Sequence, residues 1–266
     1  MKTALKIQWK AYSVTKLGNS PEENEDAFYP EIEQQNIAAQ ATFVCAVADG
    51  ATQTSFSRTW ARLLVAAAAQ NFLPERLAEL TAAAQAQWRA HISASSLPWH
   101  AEEKVREGAF ATLLWLSLQS APGARPAKTV GTWQALAIGD SCLFQIRKKK
   151  LKTQFPPLAA ADFKNNPLLL SSNPTRNIGF WSGAQEFCTA GDWAAGDDFF
   201  LMTDALAAWF VREQEKSTLA SLLTGLRAGL ITAARFASWL QELRAGTQIK
   251  NDDTTLVWIH IDEKQE

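Results

Sequence analysis

Five acidic segments fall where apolar runs begin or end: Asn24-Glu25-Asp26, Asp49-Gly50, Gly139-Asp140-Ser141, Thr203-Asp204 and Asn251-Asp252-Asp253. Taken singly, each is ordinary turn or loop chemistry. Together they imply a fold that gathers carboxylates at one edge, where they repel and are driven toward protonation. Divalent cations remove that conflict by supplying positive charge and accepting oxygen ligands. An all-oxygen set selects Mg²⁺ or Mn²⁺ over Zn²⁺, and His91, His100 and His260 form no His-Glu-x-x-His arrangement. One carboxylate can bridge two such ions about 3.5–4 Å apart, and water shared between them is a nucleophile near neutral pH. That chemistry hydrolyses phosphate esters by in-line attack.

The elements that must position these groups follow from periodicity. Thr42 to Ala48 is an apolar run leading to Asp49, and Trp133 to Ile138 leads to Gly139-Asp140-Ser141. Cys142 to Ile146 then resumes the pattern, so the two runs are predicted to form a hairpin across the glycine turn. Phe199 to Met202 leads to Thr203-Asp204, and the β-branched and aromatic run Leu256 to Ile261 follows Asp252-Asp253. A helix is predicted over 54–72, with Phe56, Trp60, Leu63, Leu64 and Ala67 as its buried stripe and Thr54 or Ser55 as its cap. Ala, Leu, Glu and Gln predict another from Pro74 to about Arg89. Further helices are expected from Ala205 and between Ser217 and Arg244. Loops are expected at 17–24, 92–100, 121–128 and 152–182, the last being long enough to be functional or mobile. Strands and helices in blocks, with antiparallel hairpins, indicate an α+β fold.

With 266 residues the chain can bury a sizeable core, and no repeat or linker divides it. Twenty-six basic residues nearly cancel twenty-seven acidic ones, which leaves no field to draw in nucleic acid. The run Lys148-Lys149-Lys150 is expected at a solvated hairpin end. Cys45, Cys142 and Cys188 have neither metal-ligand nor redox spacing and are expected as small hydrophobes in a reducing compartment. The eleven tryptophans are expected in packing, with Trp133 and Trp258 on strands and Trp60 on a helix. Residues 1–10 lack the apolar core of a signal peptide and no apolar stretch is long enough to span a bilayer, so the expected location is cytoplasmic, with no membrane partner.

Read in order, the acidic segments resemble the motifs of the metal-dependent serine/threonine protein phosphatases of type 2C (the PPM family), particularly their bacterial branch. Asn24-Glu25-Asp26-Ala27-Phe28, Val47-Ala48-Asp49-Gly50, Ala137-Ile138-Gly139-Asp140-Ser141, Leu201-Met202-Thr203-Asp204 and Asn251-Asp252-Asp253-Thr254-Thr255 carry the resemblance from about residue 12 to 262. It implies a single phosphatase domain over 1–266, built as a four-layer αββα sandwich with two central antiparallel sheets and helices outside. It implies that Asp49 bridges two Mg²⁺ or Mn²⁺ ions, that the Gly50 carbonyl binds one, and that Asp204 and Asp252 complete the other. By the same resemblance, Glu25 and Asp26 would hold metal-bound waters, and Asp140 would approach an accessory third ion. The implied partners are a phosphorylated protein substrate and an opposing Ser/Thr kinase, and 152–182 falls where the family carries a flap.

The chain also departs from the family pattern. Asp49-Gly50 is followed by Ala51-Thr52-Gln53 rather than x-Gly-Gly, and Ala51 stands where some members have a histidine. The phosphate-binding arginine expected before the first motif is replaced by Pro21-Glu22-Glu23, with Lys16 the nearest upstream cation. A distant lysine does not reproduce bidentate guanidinium recognition. Ala205 follows Asp204 where glycine is usual, and Ala208 replaces an aspartate of the accessory site. Metal-dependent hydrolysis of phosphoserine and phosphothreonine in proteins is the leading reading. Two alternatives are a catalytically weak phosphoprotein-binding module with the same fold and a hydrolase of small phosphorylated metabolites. No Gly-x-Ser-x-Gly, Cys-x-x-Cys or Gly-x-x-x-x-Gly-Lys supports a nucleophilic or nucleotide-binding alternative.

Overall fold

Two antiparallel sheets face each other. One runs in the order β1 (Ile7–Val14), β12 (Thr254–Ile261), β11 (Asp198–Met202), β7 (Cys142–Arg147), β8 (Lys150–Phe155). The other runs β10 (Cys188–Trp193), β6 (Gly131–Ile138), β5 (Leu113–Ser120), β3 (Thr42–Ala48), β2 (Ala27–Tyr29). A small ribbon pairs β4 (Phe110–Ala111) with β9 (Leu170–Ser171). The helices are α1 (Ser57–Ala68), α2 (Leu77–Ala94), α3 (Asp204–Glu213) and α4 (Ala233–Ala245). This computed structural model describes residues 7–31, 42–52, 56–70, 76–94, 105–120, 131–163, 166–178, 185–213, 225–226 and 228–262.

Three apolar layers hold four layers of structure together. Period-two alternation sends Val257, Ile259 and Ile261 of β12 between the sheets with Phe43, Cys45, Leu116 and Phe199. It sends Leu256 and Trp258 of the same strand toward Leu206, Phe210, Phe236 and Leu240 of α3 and α4. Trp60 and Leu64 of α1 and Leu77 and Ala84 of α2 cover the other sheet through Ala46, Trp115 and Leu136. Both sheets are therefore covered on both faces, which is why their central strands appear in sequence as continuous apolar runs. The expected αββα sandwich is the observed architecture. Trp60, Trp133 and Trp258 are all buried, as the sequence predicts, and each such side chain contributes a few kcal/mol, about 1.5–3 for a typical large apolar group.

Several expectations change. The predicted hairpin across Gly139 does not form: β6 and β7 belong to opposite sheets, and Gly139-Asp140-Ser141 carries the chain across the sandwich. Both runs are buried on both faces, so each is satisfied in its own sheet and neither needs the other as a partner. The Lys148-Lys149 turn does join β7 to β8, and its two residues adopt positive φ of 52° and 64°. Part of 152–182 is consequently strand rather than loop, both in β8 and in β9. Helix α1 is shorter than 54–72, and its buried face is Trp60, Ala61, Leu64, Val65 and Ala68, with Leu63 and Ala67 only half-buried. Phe56, in a left-handed conformation, stands at its N-cap, whereas Thr54 and Ser55 lie outside the described residues. The second helix runs to Ala94 instead of ending near Arg89, and the third begins at Asp204. Cys45 and Cys142 are buried thiols and Cys188 is half-buried. Among the described residues no helix is long and apolar enough to cross a membrane.

The end of the sandwich formed by the β7–β8 turn is held by charge. Arg147 donates from Nε to Asp197 Oδ1 at 2.8 Å and from Nη2 to Asp197 Oδ2 at 2.7 Å, while Nη1 reaches Asp192 Oδ2 at 2.8 Å. Asp197 is fully buried, and its remaining donors are Gln145 Nε2 and the Ala194 amide. Removing the guanidinium strands that carboxylate. Arg147→Ala is expected to lower the unfolding free energy by about 3 kcal/mol, seen as a lower urea midpoint at unchanged slope. A midpoint equal to that of the parent would show the pair to be dispensable.

Candidate functional site

Antiparallel register carries the acidic segments to one end of the sandwich. Met202 of β11 pairs with both Leu256 of β12 and Cys142 of β7, so Asp204, Asp252 and Asp140 emerge side by side. In the other sheet Ala48 pairs with Ala27, Val47 with Leu114, and Leu113 with Ile138, which brings Asp26, Asp49 and the Asp140 turn to the same edge. Asp49, Gly50, Asp140, Asp204 and Asp252 line one cleft of about 390 Å³ together with Lys250. Its other walls include Ala51, Thr52, Phe110, Thr112, Asn166, Pro167 and Leu169. The 152–182 region thus contributes directly to the cleft wall.

Local packing fixes each group. The Asp49 amide donates to Thr112 Oγ1 at 2.9 Å and the Thr112 amide returns a bond to the Asp49 carbonyl at 2.8 Å. Thr112 is in turn hydrogen-bonded to Ser141 at 3.0 Å, coupling the two acidic turns. A side chain at Gly50 would come within 2.8 Å of the Glu25 carbonyl and 2.9 Å of the Ser57 backbone, so the glycine reflects close approach. Gly139 has φ of +101°, and a Cβ there would lie 2.5 Å from the Thr112 methyl. Arg244 is buried and donates to the Asp252 carbonyl at 2.6 Å and the Thr15 carbonyl at 3.0 Å, setting the turn that presents Asp252.

The electrostatics are those of crowded carboxylates. Burial first, and then the charges of Asp26, Asp204, Asp252 and Asp140, hold the Asp49 carboxyl well above the usual range. Burial likewise raises Asp26, against a hydrogen bond from Thr255 and with the charges of Asp253 and Asp204 adding to the rise. Burial and then the Asp204 charge push Asp140 up to about 7. Asp204 is raised by burial, with Lys250 opposing and Asp252 adding. Asp26 Oδ1 and Asp140 Oδ1 are buried oxygens with no hydrogen-bond partner. Acceptor-only oxygens, short of donors and forced toward protonation, suit a divalent cation of hard character. Among the described residues no three Asp, Glu, His or Cys side chains already stand in a ligating arrangement, but the donor chemistry of the cleft fits such an ion.

A scan against protein-family models matches residues 20–247 to protein phosphatase 2C. The chain belongs to the protein phosphatase 2C family. Among solved structures, this family member resembles the Mycobacterium tuberculosis serine/threonine phosphatase PstP/Ppp at 21% identity and a TM-score of 0.57, covering 97% of this chain and 100% of that one. It also resembles the catalytic domain of PstP in complex with two manganese ions, at 21% identity, TM-score 0.54, and 98% and 100% coverage. The photosystem II phosphatase PBCP follows at 16% identity, TM-score 0.52, and 97% and 100% coverage. At these identities the likeness is one of fold. A search of curated proteins finds no match.

Within this phosphatase 2C chain, not every predicted site residue shares the cleft. Asp26 lies beneath it, accepting a hydrogen bond from Thr203 Oγ1 at 3.1 Å. Glu25 sits to one side, where its carboxylate takes Lys16 Nζ at 3.0 Å and the Ser57 hydroxyl. Asp253, grouped with Asp252 in the sequence, instead clamps the chain: its carboxylate accepts the Lys16 and Glu25 amides, each at 2.8 Å. Lys16 is not distant after all. Its ammonium also reaches Thr52 Oγ1 at 3.2 Å, at the cleft rim, although Glu25 already shares its charge. Pro21–Glu23, where the family's arginine is expected, forms a short 3₁₀ turn closed by the Ser20 amide on Glu23 Oε2 at 2.7 Å. Ala208 lies one helical turn beyond Asp204 on α3, and its methyl side chain carries no oxygen to serve as a ligand. Sequence reasoning did not single out Thr112, Arg244 or Lys250, because their importance comes from contacts distant along the chain.

Proposed function

We propose that residues 1–266 act as one phosphatase domain that hydrolyses phosphoserine and phosphothreonine esters in proteins, with two Mg²⁺ or Mn²⁺ ions as cofactors. The observation that carries this reading is Asp49, half-buried in a cleft with Asp140, Asp204 and Asp252 and with Asp26 beneath it, carboxylates whose repulsion only a cation or a proton relieves. Asp49 would bridge the two ions, the Gly50 carbonyl would serve one, and Asp204 and Asp252 would serve the other. Asp140 would face an accessory position. When bound, the ions supply charge neutralisation at the phosphoryl oxygens and lower the pKa of water. Glu25 and Asp26 would orient that water, Asp26 being held by Thr203 and Glu25 by Ser57 and Lys16. Phe110, Pro167 and Leu169 give the cleft an apolar wall against bulk water. The two manganese ions of the PstP complex make Mn²⁺ the first ion to test. Buried, unpaired Cys45 and Cys142 favour a reducing compartment, the cytoplasm, with a phosphoprotein as substrate and a Ser/Thr kinase opposing it.

Purified protein with millimolar Mn²⁺ is expected to release phosphate from a phosphothreonine peptide, and Asp204→Asn to slow this by about a hundredfold. Absence of release with metal, or equal release by the variant, would overturn the reading. The absence of an arginine at Pro21 and the commitment of Lys16 to Glu25 favour weak phosphate recognition, and hence the binding-module alternative. Capture of the phosphopeptide with Mn²⁺ but without turnover would select that alternative.

A further inference from the structure

Lys250 lies two residues before Asp252 and lines the same cleft. Its Nζ is 2.6 Å from Asp252 Oδ2 and 3.5 Å from Asp204 Oδ2. One ammonium therefore spans the two carboxylates assigned above to a single cation. The lysine side chain is 55% exposed, against 17% for Asp204 and 24% for Asp252, so it enters from the solvent side over less accessible oxygens. Its backbone is fixed: the Asp252 amide donates to the Lys250 carbonyl at 3.0 Å, and Arg244 holds the Asp252 carbonyl. Only the side chain is free to withdraw. The same cleft holds Asp140, 5% exposed, whose Oδ1 has no partner, so the cleft carries oxygen donors that the lysine does not satisfy.

We propose that Lys250 is a tethered cation that occupies the Asp204–Asp252 half of the metal centre and must be displaced before a divalent ion enters it. The inference rests on the two-cation reading above. An ammonium and a divalent ion cannot share those oxygens, because at such separations like charges repel strongly in a partly enclosed site. The two halves of the centre consequently differ in affinity. The half built on Asp49 and Gly50 fills first, and the half built on Asp204 and Asp252 fills only at higher metal concentration. Catalytic competence is then graded by available Mg²⁺ or Mn²⁺ through a residue of the chain itself.

Calorimetric titration of the full chain with Mn²⁺ tests this without reference to turnover. The parent protein is expected to show one tighter and one weaker site, and Lys250→Met to tighten the weaker site by about tenfold. Lys250→Arg, which keeps the charge, is expected to retain the weaker site. Thermal melting in chelator provides a second readout: Lys250→Met should melt below the parent without metal, because Asp204 and Asp252 lose their counter-charge, and gain more from Mn²⁺. Equal affinities and stoichiometries for parent and Lys250→Met would overturn the lysine inference alone. Failure of both proteins to bind Mn²⁺ would overturn the two-cation reading and the inference with it.

Discussion

Asp49→Asn is expected to abolish Mn²⁺-dependent phosphopeptide hydrolysis, by on the order of 10³-fold or more, while raising the thermal stability of the metal-free protein. The two effects share one cause. Burial first, and then the charges of Asp26, Asp204, Asp252 and Asp140, raise the proton affinity of the Asp49 carboxylate. A group whose folded pKa lies above its unfolded value costs the fold free energy whenever the pH keeps it ionised. Asparagine keeps the shape and removes that cost. It also leaves the local backbone intact, because Asp49 is clamped to Thr112 through its amide and carbonyl rather than its carboxylate. The variant should therefore fold, melt higher than the parent in chelator at pH 8, and gain little from Mn²⁺. Comparing melting curves and phosphate release for the two proteins checks this. An Asp49→Asn protein that hydrolyses normally, or that melts below the parent without metal, would remove Asp49 from the centre of the site.

The parts of this site that were legible in the sequence are those where one short segment holds both the chemistry and the turn. Asp49-Gly50 just after β3 and Asp204 just after β11 are legible because an apolar run stops at a carboxylate, and those strands have nearly the predicted bounds. The parts that were not legible depend on pairing across the chain. β10 contains Gly191 and Asp192, poor strand formers, and is a strand because β6 lies beside it in register from Cys188 to Trp193. β1 mixes Lys10, Tyr12 and Ser13 because it is an edge strand with unequal faces, so no clean alternation announces it. The hairpin predicted across Gly139 had the right turn chemistry and the wrong partners: a glycine turn between two apolar runs does not say whether they join one sheet or two. Asp252 and Asp253 are adjacent and identical in type, yet alternate directions send one to the cleft and the other to the Lys16 and Glu25 amides.

The same crowding predicts how metal and pH should act together. Without metal, the protein is expected to become less stable as the pH rises from about 5 to about 8, and Mn²⁺ to stabilise it more at the upper end. The sign follows from Asp140, whose folded pKa is pushed up to about 7 from an ordinary value of 3.8. Between those values the folded protein binds the proton and the unfolded chain does not. Unfolding therefore releases a proton, and stability falls as pH rises through that window and levels off above it. Asp26, Asp49 and Asp204 shift in the same direction and steepen the slope. A divalent cation must displace those protons at low pH but finds ionised carboxylates at high pH, so its binding, and the stabilisation linked to it, increases with pH. Melting temperatures in chelator and in millimolar Mn²⁺ across this range check both halves of the argument, with Asp140→Asn expected to flatten the metal-free slope. Metal-free stability that climbs with pH, or a Mn²⁺ shift as large at pH 5 as at pH 8, would mean that these carboxylates do not share the cleft as a coupled acidic cluster.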